Sequence, residues 1–97
     1  MMEIFVFARL HARPGCADAL AAAVRAVLVP TRAEPGCLAA RSFHGRRDPL
    51  LFYIHSRWRD EAALDAHLGL AHTQRFVAET APLLDHRLEA TRTALIG

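Results

Sequence analysis

One apolar segment near the middle of the chain limits the folds that it can adopt. Residues 50–58 read LLFYIHSRW, and the first five of them are apolar at odd and even positions alike. Successive side chains of a β-strand point to opposite faces of the sheet, so this strand predicts a sheet covered on both faces. A chain of 97 residues has too few helices to cover two faces. We therefore expect a homodimer, in which another copy covers the second face.

The rest of the chain alternates between strand-like and helix-like patterns. Apolar alternation predicts strands and a spacing of three to four residues predicts helices, with breaks at RPG, EPG and RRDP. The predicted strands are Glu3–Ala12, Cys37–Gly45, Leu50–Trp58 and His86–Ile96, and the predicted helices are Cys16–Ala33, Asp60–Gly69 and Thr73–Leu84. Pro30 is expected to kink the first helix or end it early, and Asp60 is expected to cap the second.

The order β-α-β-β-α-α-β is the ferredoxin-like pattern with its second helix broken in two. We expect one α+β domain over residues 1–97, in which an antiparallel four-stranded sheet forms a two-layer sandwich with the helices.

Composition excludes several classes of function. All 12 basic residues are Arg, but the 10 acidic residues are interspersed with them and the net charge is only +2, which argues against a nucleic-acid-binding face. No apolar run approaches the ~20 residues that span a bilayer, and the first residues lack the features of a signal peptide. We expect a cytoplasmic protein with no membrane partner, in which the two cysteines are free thiols.

One histidine lies where a helix should be apolar. At about 100° per residue, His67 falls in the middle of the apolar stripe of the helix that begins near Asp60, so it should point at the sheet. Trp58 shares a strand face with Phe52, Ile54 and Ser56, and we expect Trp58 and His67 to border one cavity. Tyr53, His55 and Arg57 should point to the opposite face, toward the subunit interface.

Two interpretations of this pair stay open. A histidine on an apolar face is often a core residue that bonds to the backbone, and a tryptophan is often core. A metal site is not expected, because His67 and His72 are five residues apart across a helix break and no carboxylate or cysteine completes the set. The sequence also has no glycine-rich phosphate-binding loop, so we expect no flavin, nicotinamide or metal cofactor.

Three stretches resemble the antibiotic biosynthesis monooxygenase (ABM) family. They are RPG, TRAEPGCL and the run from Trp58 to Phe76, WRDEAALDAHL followed by spaced His and Phe. The resemblance implies a dimeric α+β barrel of two ferredoxin-like sheets. Members that oxidise polyketides have Asn and Tyr where this chain has Ile54 and Leu64, and haem-degrading members need an Asn on the first strand, whereas this chain has no Asn.

The resemblance implies a monooxygenase that oxidises a small aromatic quinol or phenol with O₂ and no cofactor. Histidine suits the base in such a reaction because it titrates near neutral pH. His67 and Trp58 would be the catalytic residues, with His67 as the base. Trp58 would also wall the pocket with Phe43, Ile54 and Leu64, and His72 would gate or polarise it. The alternatives are a non-catalytic dimeric module that binds a small aromatic ligand or haem, and a structural domain with no ligand.

Overall fold

A four-stranded antiparallel sheet carries all three helices on one of its faces. The computed structural model describes residues 2–97. In chain order its elements are β1 (Ile4–His11), α1 (Ala17–Arg32), β2 (Cys37–His44), β3 (Leu51–Trp58), α2 (Glu61–Gly69), α3 (Ala71–Thr80), a 3₁₀ turn (Ala81–Leu83) and β4 (Glu89–Thr93). The strands lie in the order β2-β3-β1-β4, so the ferredoxin-like topology expected from the sequence is confirmed.

The even-numbered residues of β1 form the centre of the core. Ile4, Val6, Ala8 and Leu10 are all buried, because their side chains alternate onto the face that the helices cover. The larger core cluster joins this strand to Leu20 and Val24 of α1, Phe52 of β3 and Phe76 of α3. A smaller cluster consists of Ile4, Val6, Trp58 and Leu64, and it lies beneath α2. That second cluster positions the end of β3 against the helix that carries His67.

Two prolines act differently from each other. Pro30 lies inside the last turn of α1, which continues to Arg32, so the expectation that Pro30 ends this helix early is wrong. The turn closes because Ala33 and Glu34 donate backbone hydrogen bonds to Pro30 and Thr31. In contrast, α3 ends at Thr80 rather than near Leu84, since Pro82 lacks the N–H that a further turn requires. The last strand is also shorter than expected, Glu89–Thr93.

The turn between α1 and β2 touches α2 directly. Cys37 N–H donates to the carbonyl oxygen of Glu34 at 3.0 Å, and Arg59 N–H donates to that of Gly36 at 2.9 Å. A Cβ on Gly36 would overlap the Cβ of Ala63 and lie 3.4 Å from its Cα. Gly36 has no positive φ, so this position needs glycine for space rather than for backbone conformation.

The other face of the sheet exposes aromatic side chains. Phe7 pairs with His55 across β1 and β3, and Phe43 pairs with Tyr53 across β2 and β3. Phe7 and Phe43 are each 50% exposed and Tyr53 is 38% exposed, while the His55 ring lies 4.9 Å from that of Phe7. The expected placement of Tyr53, His55 and Arg57 on the face opposite the helices is therefore correct.

A cluster of ionisable side chains lies at the end of β1 that is remote from Trp58. His11 donates from Nδ1 to Asp85 at 2.6 Å and from Nε2 to Asp48 at 2.7 Å, which requires the doubly protonated ring. The hydrogen bond to Asp48, followed by that to Asp85, raises the pKa of His11 above its ordinary value of 6.5. The same bond from His11 lowers the pKa of Asp48. Burial works against ionisation of Asp85, yet hydrogen bonds from His11 and His86 lower its pKa overall.

Within residues 2–97, no helix combines the length and the apolar character needed to cross a membrane. The longest helix, α1, has 16 residues.

The contact at Gly36 yields a stability prediction. Replacing Gly36 by Ala inserts a methyl group where the Cβ of Ala63 already lies, so α2 must move outward. We expect Gly36→Ala to lower the free energy of unfolding by about 1–3 kcal/mol, as overpacking does, in urea titrations. Gly69→Ala is the matched control, because nothing lies within 4 Å of a Cβ there, and it should be neutral or slightly stabilising. An unchanged Gly36→Ala variant would show that the close approach is not needed.

The His11 cluster makes stability depend on pH. Because the folded pKa of His11 is raised, its contribution is complete below pH 6.5 and is lost as the pH rises through the folded value. The pKa of each aspartate is lowered, so their contributions are present above their ordinary value of 3.8 and are lost in acid. We therefore expect wild type to exceed His11→Gln in urea stability most between about pH 4 and 6.5. His44→Gln, whose ring bonds only to the carbonyl of Gly45 within residues 2–97, should show no such trend.

Candidate functional site

A small apolar cavity lies between the helices and the covered face of the sheet. It encloses about 120 Å³. Its polar side chains are Thr31, Ser56, His67 and Thr73, and its apolar walls are Val6, Ala8, Val27, Leu28, Ala40, Ile54, Leu64, Leu68, Phe76, Val77, Leu88 and Ala90. Leu68 and Val77 are 49% and 48% exposed, so they mark its opening to solvent. A site of this kind selects an apolar ligand and offers it few polar contacts.

Three of the residues predicted for the site line this cavity: Ile54, Leu64 and His67. Trp58 lies behind His67 instead of lining the cavity, and the two ring centroids are 4.5 Å apart. The indole is fully buried, and its Nε1 donates to the hydroxyl of Ser56 at 2.9 Å. Trp58 therefore fixes the position of the histidine ring rather than meeting a ligand directly.

A buried carboxylate that was not predicted holds His67 in place. Glu34 Oε2 accepts hydrogen bonds from Nδ1 of His67 at 2.8 Å and from Nε2 of His72 at 2.7 Å. The side chain of Glu34 is only 9% exposed, and those of His67 and His72 are 16% and 21% exposed. The statement that no carboxylate completes the histidine set is thus wrong, because Glu34 is 33 residues before His67 in sequence and adjacent to it in space.

The backbone between the two histidines explains how both reach one oxygen atom. His67 lies in the last turn of α2, and His72 lies in the first turn of α3. Leu70 between them is extended, with φ −76° and ψ 149°, so the helix axis changes direction at that residue. Without this break the two rings, five residues apart, would point about 140° away from each other around one helix.

The hydrogen bonds determine which nitrogen of His67 is available. Nδ1 donates to Glu34 and lies 3.3 Å from the hydroxyl of Thr73. Nε2 of His67 has no hydrogen-bond partner in the described part of the chain. A neutral ring with its proton on Nδ1 has a free electron pair on Nε2. The arrangement can therefore accept a proton from a ligand in the cavity, while Glu34 stabilises the cation that results.

The structure does not bring Phe43 or His72 into the cavity. A bulge in β2 shifts the register between Cys37, which pairs with Trp58, and Ala39, which pairs with Arg57. Without this one-residue slip Phe43 would oppose Phe52 and face the helices. Instead Phe43 opposes Tyr53 on the exposed face, so its prediction as a pocket wall is wrong in placement. His72 lines a neighbouring groove between α1 and α3.

The two cysteines offer no obvious nucleophile for this cavity. Both are free thiols, as expected. Burial, with a smaller effect from the charge of Glu34, raises the pKa of Cys37 above 9.0, so little reactive thiolate exists near neutral pH.

Comparison with known proteins places this architecture in a family. The sequence model described as "Antibiotic biosynthesis monooxygenase" (ABM) matches residues 3–79, which include Glu34, Trp58, His67 and His72. The chain belongs to the ABM family. The resemblance seen in the sequence is therefore confirmed. The carboxylate–histidine group lies within the matched region, as do all the cavity residues except Leu88 and Ala90.

Individual ABM relatives agree with this assignment. The "Putative monooxygenase Rv0793" of Mycobacterium tuberculosis is 33% identical over 88 residues, which cover 91% of this chain and 86% of the relative. The "Putative monooxygenase YcnE" of Bacillus subtilis is 29% identical over 92 residues, 95% of this chain and 97% of the relative. The crystal structure of PA3566 from Pseudomonas aeruginosa superposes with a TM-score of 0.92 at 34% identity, over 100% of this chain and 97% of that one.

The ABM assignment also shows what the sequence could have revealed. Glu34 lies within TRAEPGCL, one of the stretches that carried the resemblance, but the EPG motif indicates a turn and no more. The available signal is that this Glu lies between the end of α1 at Arg32 and a Pro-Gly pair, in the turn that precedes β2.

Proposed function

We propose that this ABM protein is a cofactor-independent monooxygenase that oxidises a small aromatic quinol or phenol with O₂. The observation that carries the proposal is the position of His67. Its ring lines an apolar cavity, its Nδ1 is held by a buried carboxylate, and Trp58 packs against its face. A fixed base in a water-poor cavity is the equipment that deprotonation of a phenol requires.

The reaction begins with proton transfer to Nε2 of His67. The phenolate that forms gives one electron to O₂, and the resulting radical and superoxide combine to form a carbon–oxygen bond. The peroxide then breaks at its O–O bond. One oxygen atom stays on the ring carbon as a carbonyl when that carbon loses its hydrogen as a proton. The other oxygen leaves as water with this proton and the proton held by His67. Substrate and O₂ thus yield a quinone and water, and the substrate supplies all the electrons.

The volume of the cavity restricts the substrate to about one ring. At about 120 Å³ it is close to the ~150 Å³ of an apolar cavity that holds one benzene molecule. Drug-sized ligands of several rings occupy roughly 300 Å³ or more. We therefore propose a single-ring hydroquinone or phenol, which enters between Leu68 and Val77.

A non-catalytic binding module is the second candidate, and one observation favours it. Ile54 and Leu64 line the cavity at the positions where the sequence resemblance implied polar side chains in polyketide-oxidising members. Their apolar side chains leave His67 with less help in orienting a phenol. In this alternative the same single-ring aromatic ligand binds without consumption of O₂, whereas haem is much larger than a cavity of about 120 Å³.

We also propose that the protein is a homodimer that pairs through the exposed face of the sheet. This proposal is supported by the partly exposed aromatic side chains of Phe7, Phe43 and Tyr53, which lie on the same face of β1, β2 and β3. Apolar surface of this extent on a small chain is characteristic of an interface. In such a dimer the helices and the cavities of both copies face outward.

The catalytic role of His67 can be tested with purified protein. We expect His67→Ala to lower the rate of O₂ consumption with a single-ring hydroquinone by roughly 10²–10⁴-fold, the usual contribution of a positioned acid–base group. An oxygen electrode measures the rate and thermal unfolding measures the folded fraction. His44→Ala is the matched control and should retain wild-type activity, because His44 is exposed at the end of β2 and does not line the cavity.

The same measurements separate catalysis from structure. If His67 only stabilises the fold, the variant unfolds at a lower temperature but keeps its activity per folded molecule, and the catalytic proposal fails. If wild type binds the hydroquinone and consumes no O₂, the binding module is the better description. Faster turnover of a three-ring anthrone than of the single-ring substrate would contradict the size argument.

The dimer can be tested by light scattering. We expect a species of twice the chain mass of 10.7 kDa at micromolar concentration, since an obligate interface buries on the order of 2,000 Å² or more. Phe43→Glu introduces a charge on the exposed sheet face and should give a monomer. Val29→Glu is the control, because Val29 is 69% exposed on α1, away from the sheet. A wild-type monomer, or dissociation by Val29→Glu instead, would refute the proposed interface.

A further inference from the structure

The group that holds His67 has a second chemical use. Glu34, His67 and His72 each offer one ligand atom, and these atoms all lie within 4.8 Å of one another. Within residues 2–97 this is the one set of three or more His, Cys, Asp or Glu side chains with that geometry. Two imidazole nitrogens and one carboxylate oxygen are the ligand set of many mononuclear zinc and iron sites.

We infer that Glu34, His67 and His72 bind a divalent transition-metal ion, with Zn²⁺ as the representative of that class. The ion replaces the protons that now connect the two rings to Oε2 of Glu34. The ligands are one carboxylate and two neutral imidazoles, so the site carries one negative charge to balance the ion, and its remaining coordination positions are open to water.

The geometry requires only small movements. A tetrahedral ion with bonds of about 2.1 Å separates its ligand atoms by roughly 3.4 Å. The present separations from Oε2 are 2.8 Å to His67 and 2.7 Å to His72, so the rings must move by about 0.6 Å and about 0.7 Å to reach that spacing. His72 is the more exposed of the two rings and belongs to a separate helix, so it can supply much of the movement.

Solvent access to His72 and the contacts around His67 are also consistent with a bound ion. His72 lines the groove between α1 and α3 and its side chain is 21% exposed, so one of the three ligands is reached from solvent. Trp58 and Thr73 contact His67 from the other side, and contacts of this kind orient a ligand ring. The Glu34 side chain is only 9% exposed, which limits the other positions that its carboxylate can adopt.

The ion would remove the base from the cavity. When a metal binds Nδ1 of a neutral His67, the ring proton must lie on Nε2, which then has no electron pair to accept a proton. This consequence rests on the proposed function, whereas metal binding itself does not. The site is therefore expected to be inhibitory: the apo form carries the activity and the loaded form does not.

The single tryptophan of the chain provides a local probe. Trp58 lies 4.5 Å from His67, and an open-shell ion such as Co²⁺ quenches indole emission at short range, whereas Zn²⁺ does not. Tag-free protein, dialysed against EDTA and then against buffer, is titrated with Co²⁺. We expect saturable quenching that ends at one equivalent, and recovery of the emission when Zn²⁺ displaces Co²⁺. Equilibrium dialysis with Zn²⁺ gives the stoichiometry independently of any activity.

Variants locate the ion. His72→Gln and Glu34→Gln each remove one ligand and should weaken Zn²⁺ binding by at least roughly tenfold, the scale on which metal sites respond to lost support. His44→Gln is a matched control on the surface, and His11→Gln disrupts the other histidine–carboxylate cluster. Both should bind like wild type, and thermal unfolding confirms that every variant is folded.

Several results would overturn the inference. The first is wild-type protein that binds less than about 0.2 equivalents of Zn²⁺ at a few-fold excess. The second is Co²⁺ binding that leaves Trp58 emission unchanged, and the third is a folded His72→Gln variant that binds Zn²⁺ like wild type. Loss of binding in His11→Gln would place the ion in the other cluster. The hydroquinone assay can fail while Zn²⁺ still binds, so the two proposals stand or fall separately.

Discussion

The close approach of α2 to the turn before β2 sets the geometry of the whole site. It depends on the absence of a side chain at Gly36, where a methyl group would overlap Ala63. Because the turn and the helix touch there, Glu34 on the turn and His67 on the helix come within hydrogen-bonding distance. The same contact closes the helix over Trp58, which becomes fully buried. One missing methyl group thus connects the packing of the second core cluster to the chemistry of the cavity.

The energetics of burial argue against stability as the sole role of the Glu34 group. A buried carboxylate loses its hydration, and even a good set of partners often does no more than offset that loss, so apolar side chains of similar volume commonly stabilise as well or better. Glu34 is nearly buried and both histidines are largely so. Once Glu34 is buried, however, it needs imidazole donors, because a buried charge left without a partner is strongly destabilising. The burial of Glu34 therefore depends on its histidine partners, and this dependence suits a site whose geometry must stay fixed.

Periodicity predicted the fold and one half of the site. Helical spacing placed His67 toward the sheet, and strand alternation placed Tyr53 and His55 on the exposed face, since both patterns depend only on neighbouring residues. The pairing of Phe43 depended instead on the bulge after Cys37, which has no clear local signature. Glu34 was missed for a related reason. Its partners are 33 and 38 residues away, and no period in the sequence relates a turn to a helix that packs on it. Local patterns thus predict the face to which a side chain points, and long-range contacts determine which residues it meets there.

The two nitrogens of His67 connect the two proposals. Nδ1 belongs to the Glu34 group and Nε2 is the nitrogen left for the cavity, and in a neutral ring only one of them carries the proton. Whatever occupies Nδ1 therefore determines what Nε2 can do. A hydrogen bond to Glu34 leaves Nε2 as an acceptor, while a metal ion on Nδ1 turns Nε2 into a donor. A ligand that needs a base in the cavity is then disfavoured by the ion, and a ligand that needs a hydrogen-bond donor, such as a quinone carbonyl, is favoured. The phenol substrate of the proposed oxidation needs the base, and the quinone product needs the donor. The presence or absence of the ion would therefore discriminate between them without any change in the shape of the cavity.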